Sequence, residues 1–307
     1  MRRILVIRGG AIGDFVLTLP AIGALRKEFP HAHIEILGYK HIIALAEQRF
    51  YADAVRSIEY SALAGFFGRG TELSRDLADY FHSFDLIVSY LSDPDGHFER
   101  NLRRCGAEEI LHGQSKLTGR DHAALQLARA LEPLEVSIED TAARIYPTAA
   151  DREVAASFLR DRTQPIIALH PGSGGERKNW PAERWIELAQ RVAAPLLLIG
   201  GEADQERIAA LRANLPNEQF TLAENLPLPQ LAAVLECCAT FVGHDSGISH
   251  IAAAVGTPSI LLFGPTDPQI WAPTNDNVRV IRAPNGDLTK LETSAVLQEL
   301  MRIGIST

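Results

Sequence analysis

Asp14 follows a glycine-rich turn, Gly9-Gly10-Ala11-Ile12-Gly13, that itself follows the apolar run Ile4–Ile7. The glycines permit a tight turn and close backbone approach. The carboxylate then stands at the start of a helix, beyond the end of a strand. There it can cap the helix, worth about 1 kcal/mol, or act as a general base. Local sequence alone favours the cap. The spacing of Gly9, Gly10 and Gly13 is not the G-x-G-x-x-G of a dinucleotide site.

Three later turns carry comparable chemistry. His170-Pro-Gly-Ser-Gly-Gly-Glu-Arg-Lys-Asn-Trp-Pro181 offers the Ser173 hydroxyl, the flexible Gly174 and the cations Arg177 and Lys178. Successive backbone N–H groups in such a turn make an anion nest, and Lys178 could neutralise a departing phosphate. A solvated surface loop anchored by Trp180 fits the same residues equally well. The spacing is not that of a P-loop. Gly200-Gly201-Glu202 leads into Asp204 and Glu206. An acid placed after a strand in this way often accepts hydrogen bonds from ribose hydroxyls, although a capped helix with a solvated acidic start explains any single one of them. The richest stretch runs from Phe241 to Thr266. Its turn Gly243–Gly247 lies between a strand and a small-residue helix, where unpaired N–H groups and the helix dipole favour a phosphate or carboxylate. His250 can add a donor. Asp245, Ser246 and His250 crowd one turn too closely for a nucleophilic triad and suit ligand contacts.

Composition narrows the field. The chain has 307 residues, enough for two domains of about 150 each. With 46% hydrophobic and 22% charged residues it is of ordinary globular type. A net charge of −8 without a basic stripe argues against a nucleic-acid partner. Cys105, Cys237 and Cys238 have no framework spacing, which suggests reduced thiols. The apolar run after Met1-Arg2-Arg3 is too short for a signal peptide, and no run approaches a membrane span. A cytoplasmic location is expected. Asp93-Pro-Asp95 is expected to be a turn rather than a metal site. With no H-E-x-x-H or paired-cysteine spacing, no metal is expected. No G-x-S-x-G elbow occurs.

Positioning these turns requires strands that alternate with helices. Apolar runs at Ile4–Ile7, Ile34–Leu37, Val55–Ile58, Leu86–Tyr90 and Ile110–Leu111 predict strands, and residues 14–28, 41–48, 71–82 and 121–131 predict helices. The pattern restarts with a helix over 149–160. Strands follow at 165–169, 196–199, 219–222, 240–242 and 259–263. Helices are predicted at 181–192, 203–213, 228–237, 247–254 and 288–301. The sequence therefore predicts two α/β units, 1–148 and 149–307, each with an open parallel sheet. The closing helix, 288–301, is a candidate to pack back on the first unit. Ligands of such sheets bind beyond the carboxyl ends of the strands.

Taken together, these segments resemble glycosyltransferase family 9, the ADP-heptose heptosyltransferases of lipopolysaccharide core synthesis. The resemblance is carried by Ile4–Asp14 with Leu17-Thr-Leu-Pro20, by Leu25–Pro30, by His170-Pro-Gly172 with Lys178-Asn-Trp-Pro181, and by Gly243–Thr257 with Leu262-Phe-Gly-Pro-Thr266. It implies a GT-B fold, two Rossmann-like domains facing across a cleft, with the acceptor on the first and the nucleotide sugar on the second. It implies that Asp14 is the catalytic base, against the local preference for a cap. It further implies that Ser173, Gly174, Lys178, Asp245, Ser246, Gly247 and His250 meet the nucleotide and its diphosphate. An acid of the 202–206 stretch, Glu202 or Glu206, meets the ribose.

The implied reaction is inverting and metal-free, with no cofactor and an ADP-sugar as donor. The implied acceptor is an anionic glycolipid at the cytoplasmic face of the inner membrane, with the enzyme peripheral there. Gly13, Arg100, Arg103, Arg104 and Arg120, along with Lys116, are candidates to meet it, and a solvated helix face explains the arginines equally well. The stretch Asp85–Gly96 departs from the Asp-Leu-Gln-Gly-like segment usual in the family, so the acceptor stays open. Two alternatives stand beside a heptosyltransferase. One is a GT-B transferase using another nucleotide sugar, and the other is a nucleotide-sugar-binding homologue that has lost transfer. A dehydrogenase fits least, for want of the dinucleotide fingerprint.

Overall fold

The structure is a computed structural model that describes residues 1–70, 72–159 and 165–306. Positions 71 and 160, at the edges of two predicted helices, lie outside the described residues. The chain forms two compact units, Met1–Thr141 and Ala142–Thr307.

The first unit holds β1 (Arg3–Arg8), β2 (His33–Gly38), β3 (Ala54–Ser57), β4 (Leu86–Ser89) and β5 (Ile110–His112), in the order β3-β2-β1-β4-β5. Every pairing is parallel. Ile4 to Ile7 are wholly buried, as a continuous apolar run must be when helices cover both faces of its sheet. Leu5, Ile7, Leu37 and Ile87 pack on one face against Phe66, Phe81, Phe98 and Leu102. The order of the strands reverses at β1, whose neighbours are β2 and β4. That switch point opens a crevice beyond the strand ends, and the chain leaves β1 there towards Asp14.

The second unit repeats the design with β6 (Ile167–His170), β7 (Leu196–Gly200), β8 (Phe220–Glu224), β9 (Thr240–His244), β10 (Ser259–Phe263) and β11 (Val278–Arg282). The order is β11-β10-β9-β6-β7-β8, again parallel throughout. Its switch point lies between β6 and β9. The polar turns picked out in the sequence therefore leave the ends of β6, β7 and β9, three adjacent strands.

Several expected elements differ. The first helix runs Ile12–Glu28 with Ala11 as its N-cap, so Asp14 is the third helical residue and not the cap. The helix expected over 41–48 stops at Ile43. That expected over 121–131 is a short helix, Ala123–Ala128, which tightens into a 3₁₀ turn containing Pro133. Proline removes a backbone donor and cannot continue an α-helix. The helix His97–Arg104 and the edge strand β11 were not among the predicted elements. In β11, Val278, Val280 and Ile281 alternate imperfectly with Arg279 and Arg282, and the strand stays half exposed.

The boundary between the units lies earlier than expected. Residues 142–148 belong to the second unit, because the Ile145 N–H donates to Ala254 C=O at 2.9 Å and Asn275 Nδ2 donates to Ala143 C=O at 2.9 Å. The closing helix is Thr293–Arg302. Val296, Leu297 and Leu300 are buried in the second unit's own core with Ile167, Trp185, Leu188 and Val242. All three tryptophans, Trp180, Trp185 and Trp271, lie in this unit, so their fluorescence reports its unfolding. Leu300→Ala should lower the urea midpoint of that transition by the equivalent of about 2–5 kcal/mol. An unchanged midpoint would contradict the place assigned to this helix.

Candidate active site

In the first unit, glycine and a buried arginine fix Asp14. Its Oδ2 accepts the Ala11 N–H at 2.9 Å. Alanine has no side chain to complete the reciprocal half of a capping box, so the carboxylate satisfies this turn alone. Gly10 has φ +97°, and a Cβ there would come within 2.8 Å of Asp14 Oδ2. Any other residue would be both strained and in collision.

Arg8 ends β1 with only 5% of its surface exposed. Its Nε and Nη2 donate to the Asp14 carbonyl at 3.4 and 3.3 Å, and Nη2 lies 3.6 Å from Asp14 Oδ1. Its guanidinium stands 5.7 Å from the centre of the Tyr90 ring. Burial lowers the Arg8 pKa and Asp14 opposes that shift. Burial raises the pKa of Tyr90, which therefore stays protonated and donates to Leu127 C=O at 3.2 Å.

These groups border a cavity of about 600 Å³ at the strand ends, lined also by Tyr39, Tyr60 and Phe67. The Asp14 side chain is 40% exposed. The carboxylate thus satisfies an N–H of the helix's first turn and still remains accessible.

The other first-unit candidates lie elsewhere. Gly13 is in the same helical turn as Asp14. Arg100 donates to Asp95 C=O at 2.8 Å, Arg103 to Glu99 at 2.8 Å, and Arg104 to Asn101 at 2.8 Å. These are local contacts of one helix and its N-terminal turn. Arg120 and Lys116 are exposed, and none of the five lines the cavity. Asp93 is a turn and cap residue, as expected, accepting the N–H groups of Phe98 and Glu99 at 3.0 and 2.9 Å.

In the second unit the three turns interlock. Lys178 Nζ donates to Asp245 Oδ2 at 2.7 Å, and Thr266 Oγ1 donates to the same oxygen at 2.8 Å. The Asp245 side chain is 9% exposed and that of Lys178 35%. Ser246 is the N-cap of the helix Gly247–Ala254 and accepts the Ser249 N–H. Its Oγ also lies 3.3 Å from His170 Nδ1, and His170 Nε2 lies 3.5 Å from Asp204 Oδ2. Asp204 in turn accepts the Gly201 N–H at 3.0 Å. Burial acts to raise the Asp204 pKa, but the bonds from His170 and Gly201 bring it below its ordinary value. A Cβ on Gly172 would lie 1.5 Å from Asp204 Oδ1, so only glycine lets the β6 turn pass this carboxylate.

Of the acids after β7, Asp204 is buried and structural, whereas Glu202 and Glu206 are exposed. Ser173 Oγ lies 2.8 Å from Asn179 Oδ1, Gly174 is exposed beside it, and His250 is buried in the helix that Gly247 begins. The sequence did not reveal Arg8, the aromatic lining or the His170–Asp204–Ser246 chain as units, because each joins residues from separate strands. A charged residue inside the β1 run was the one available signal for Arg8.

His244, wholly buried at the end of β9, links two of the turns. Its Nε2 accepts the Trp180 N–H at 2.8 Å, and Nδ1 faces Gly172 C=O at 3.4 Å. This fixes the neutral tautomer with the proton on Nδ1.

The sequence profile of Glycosyltransferase family 9 (heptosyltransferase) matches residues 121–301. The chain belongs to this family. It is a glycosyltransferase built from two Rossmann-like domains, the make-up of the GT-B class. It is 26% identical over 326 residues to lipopolysaccharide heptosyltransferase 1 of Escherichia coli K12, covering 97% of this chain and 99% of that one. It is 25% identical over 315 residues to lipooligosaccharide heptosyltransferase 2 of Haemophilus influenzae, covering 94% and 90%. In fold it is similar to the solved E. coli ADP-heptose lps heptosyltransferase II, with a TM-score of 0.80 and 19% identity over 99% of this chain and 98% of that one.

The buried histidine gives this family member a pH signature. Burial lowers the His244 pKa to about 3, with the bond to Gly172 opposing. In the unfolded chain a histidine titrates near 6.5. Between these values the unfolded state binds a proton that the folded state does not. The contribution is therefore complete above about pH 6.5 and declines as pH falls, by about 1.4 kcal/mol per unit. Urea midpoints followed by tryptophan fluorescence from pH 7 to 5 should fall with this slope, and His244→Gln should flatten it.

Proposed function

We propose that this transferase moves a heptose, or a closely similar sugar, from an ADP-sugar to a lipopolysaccharide-core-type glycolipid, with inversion and without a metal. The heptosyltransferases it resembles support the donor and acceptor class. The observation that carries the mechanism is Asp14, an accessible carboxylate held by Ala11 and Arg8 at the border of a cavity large enough for a sugar ring.

Asp14 takes the proton of an acceptor hydroxyl as that oxygen attacks the donor's anomeric carbon. The new C–O bond forms on the face opposite the breaking bond to phosphate, and ADP departs. Arg8 keeps Asp14 aimed. In the second domain, Lys178 and the N-terminus of the Gly247–Ala254 helix supply the positive charge that the leaving diphosphate needs. Ser173, Gly174, Ser246 and His250 shape its surroundings, and an exposed acid, Glu202 or Glu206, accepts the ribose hydroxyls. Among the described residues no helix is long and apolar enough to cross a membrane. The enzyme reaches its lipid-linked acceptor from the cytoplasmic side as a peripheral protein.

Asp14→Asn retains an oxygen for the Ala11 N–H but loses the base. Transfer from ADP-heptose, followed by mass spectrometry of the glycolipid product, should fall by about 10²–10⁴-fold, while calorimetric affinity for ADP stays near wild type. Transfer at the wild-type rate would remove Asp14 as the base. Tighter binding of UDP or GDP than of ADP would remove the ADP-sugar assignment.

A further inference from the structure

We infer that the first-domain cavity takes an uncharged pyranose as the acceptor's reacting sugar and disfavours an acidic one. This rests on the transferase proposal and narrows its substrate class.

The charges on the cavity wall decide the matter. Among the described residues lining it, the acidic and basic side chains are Arg8, Asp14 and Glu59. Arg8 is 5% exposed and already faces Asp14 on two of its nitrogens. Its charge is matched from within, and little of its surface can reach a ligand. Glu59 is exposed and adds a second carboxylate. Beyond the Arg8–Asp14 pair, a sugar acid seated here would meet the like charge of Glu59 and no uncommitted guanidinium or ammonium from the lining. The five basic residues that the sequence offered for an anionic acceptor do not line the cavity.

The rest of the wall suits a neutral sugar. Tyr39, Tyr60 and Phe67 are 37%, 53% and 41% exposed around it. Large aromatic faces left open around a concavity mark a ligand site. Phe67 is held by stacking on Phe98 at 4.8 Å between ring centres. One face of a pyranose is a patch of C–H groups that lies flat on such rings. Its hydroxyls are left to Asp14, Glu59, Ser92 and Ser115, which also line the cavity. Tyrosine combines an apolar face with a polar edge and serves both needs.

The test uses the full chain labelled with 3-fluorotyrosine, with ¹⁹F resonances assigned by Tyr39→Phe and Tyr60→Phe. Methyl α-D-mannopyranoside and the corresponding methyl mannosiduronate differ only in CH₂OH against carboxylate. The neutral glycoside should shift the resonances of Tyr39 and Tyr60. The uronate should bind at least about tenfold more weakly at neutral pH, the factor expected of one partly screened like-charge contact. Glu59→Gln, a change at an exposed position, should narrow that gap. Equal or tighter binding of the uronate, or no shift with either glycoside, overturns the inference. Turnover of ADP-heptose is measured in parallel on glycolipids ending in a neutral or an acidic sugar. Faster transfer to the acidic terminus overturns the inference and leaves the transferase proposal standing. Loss of all turnover alongside the expected binding pattern sinks the transferase proposal instead.

Discussion

A guanidinium taken out of water needs a counter-charge. Arg8, at the last position of the central strand of the first sheet, finds it in Asp14, six residues further on. That pairing accounts for much of what surrounds it. Gly10 must adopt a left-handed conformation for the chain to turn back so soon, and its missing Cβ makes room for the carboxylate. The helix starts one residue before Gly13, so Asp14 enters as its third residue and satisfies the Ala11 N–H. Thr18 Oγ1 and the Arg8 nitrogens share the Asp14 carbonyl. Position and orientation of one carboxylate thus come from a single strand–turn–helix unit. The parallel sheet places that unit at the switch point where ligands bind.

The second domain solves a different problem, holding three separate turns in register at adjacent strand ends. It does so with neutral or internally matched groups. His244 is kept uncharged between the β6 turn and the start of the next helix. His170 spans from Asp204 on the β7 turn to Ser246 on the β9 turn, and Ser246 caps the helix Gly247–Ala254. A polar network of this kind is stable when every member is satisfied. This one fixes the N-terminus of the Gly247–Ala254 helix relative to both neighbouring loops.

The alternation of apolar runs with helical periodicity made both sheets readable from the sequence, because parallel strands buried on two faces must be continuously apolar. The places of Asp14, the β6 loop and the Gly243–Gly247 turn at strand ends were readable for a related reason, since each follows directly on an apolar run. What stayed hidden depended on strand order. Nothing local says that His170 and Asp204 will face each other, or that Tyr39, Tyr60, Phe67 and Tyr90 will border one cavity, since these residues meet only after β1, β6 and their neighbours pair. Arg100, Arg103 and Arg104 looked like a basic patch because sequence gives charge and not partners. Edge strand β11 escaped because an edge needs no continuous apolar run, and the domain boundary shifted because its determinants are hydrogen bonds from positions over a hundred residues away.

In the donor site proposed above, the ion pair between Lys178 and Asp245 has a consequence for selectivity. An ammonium already matched by a nearly buried carboxylate exerts little long-range pull on passing anions. A small, singly anchored ion such as inorganic phosphate would have to displace Asp245 for one contact in return. A larger molecule that also engages neighbouring backbone and hydroxyl groups recovers that cost many times over. The internal carboxylate thus acts as a competitor built into the site, rejecting ligands by how many points they can grip at once rather than by their charge.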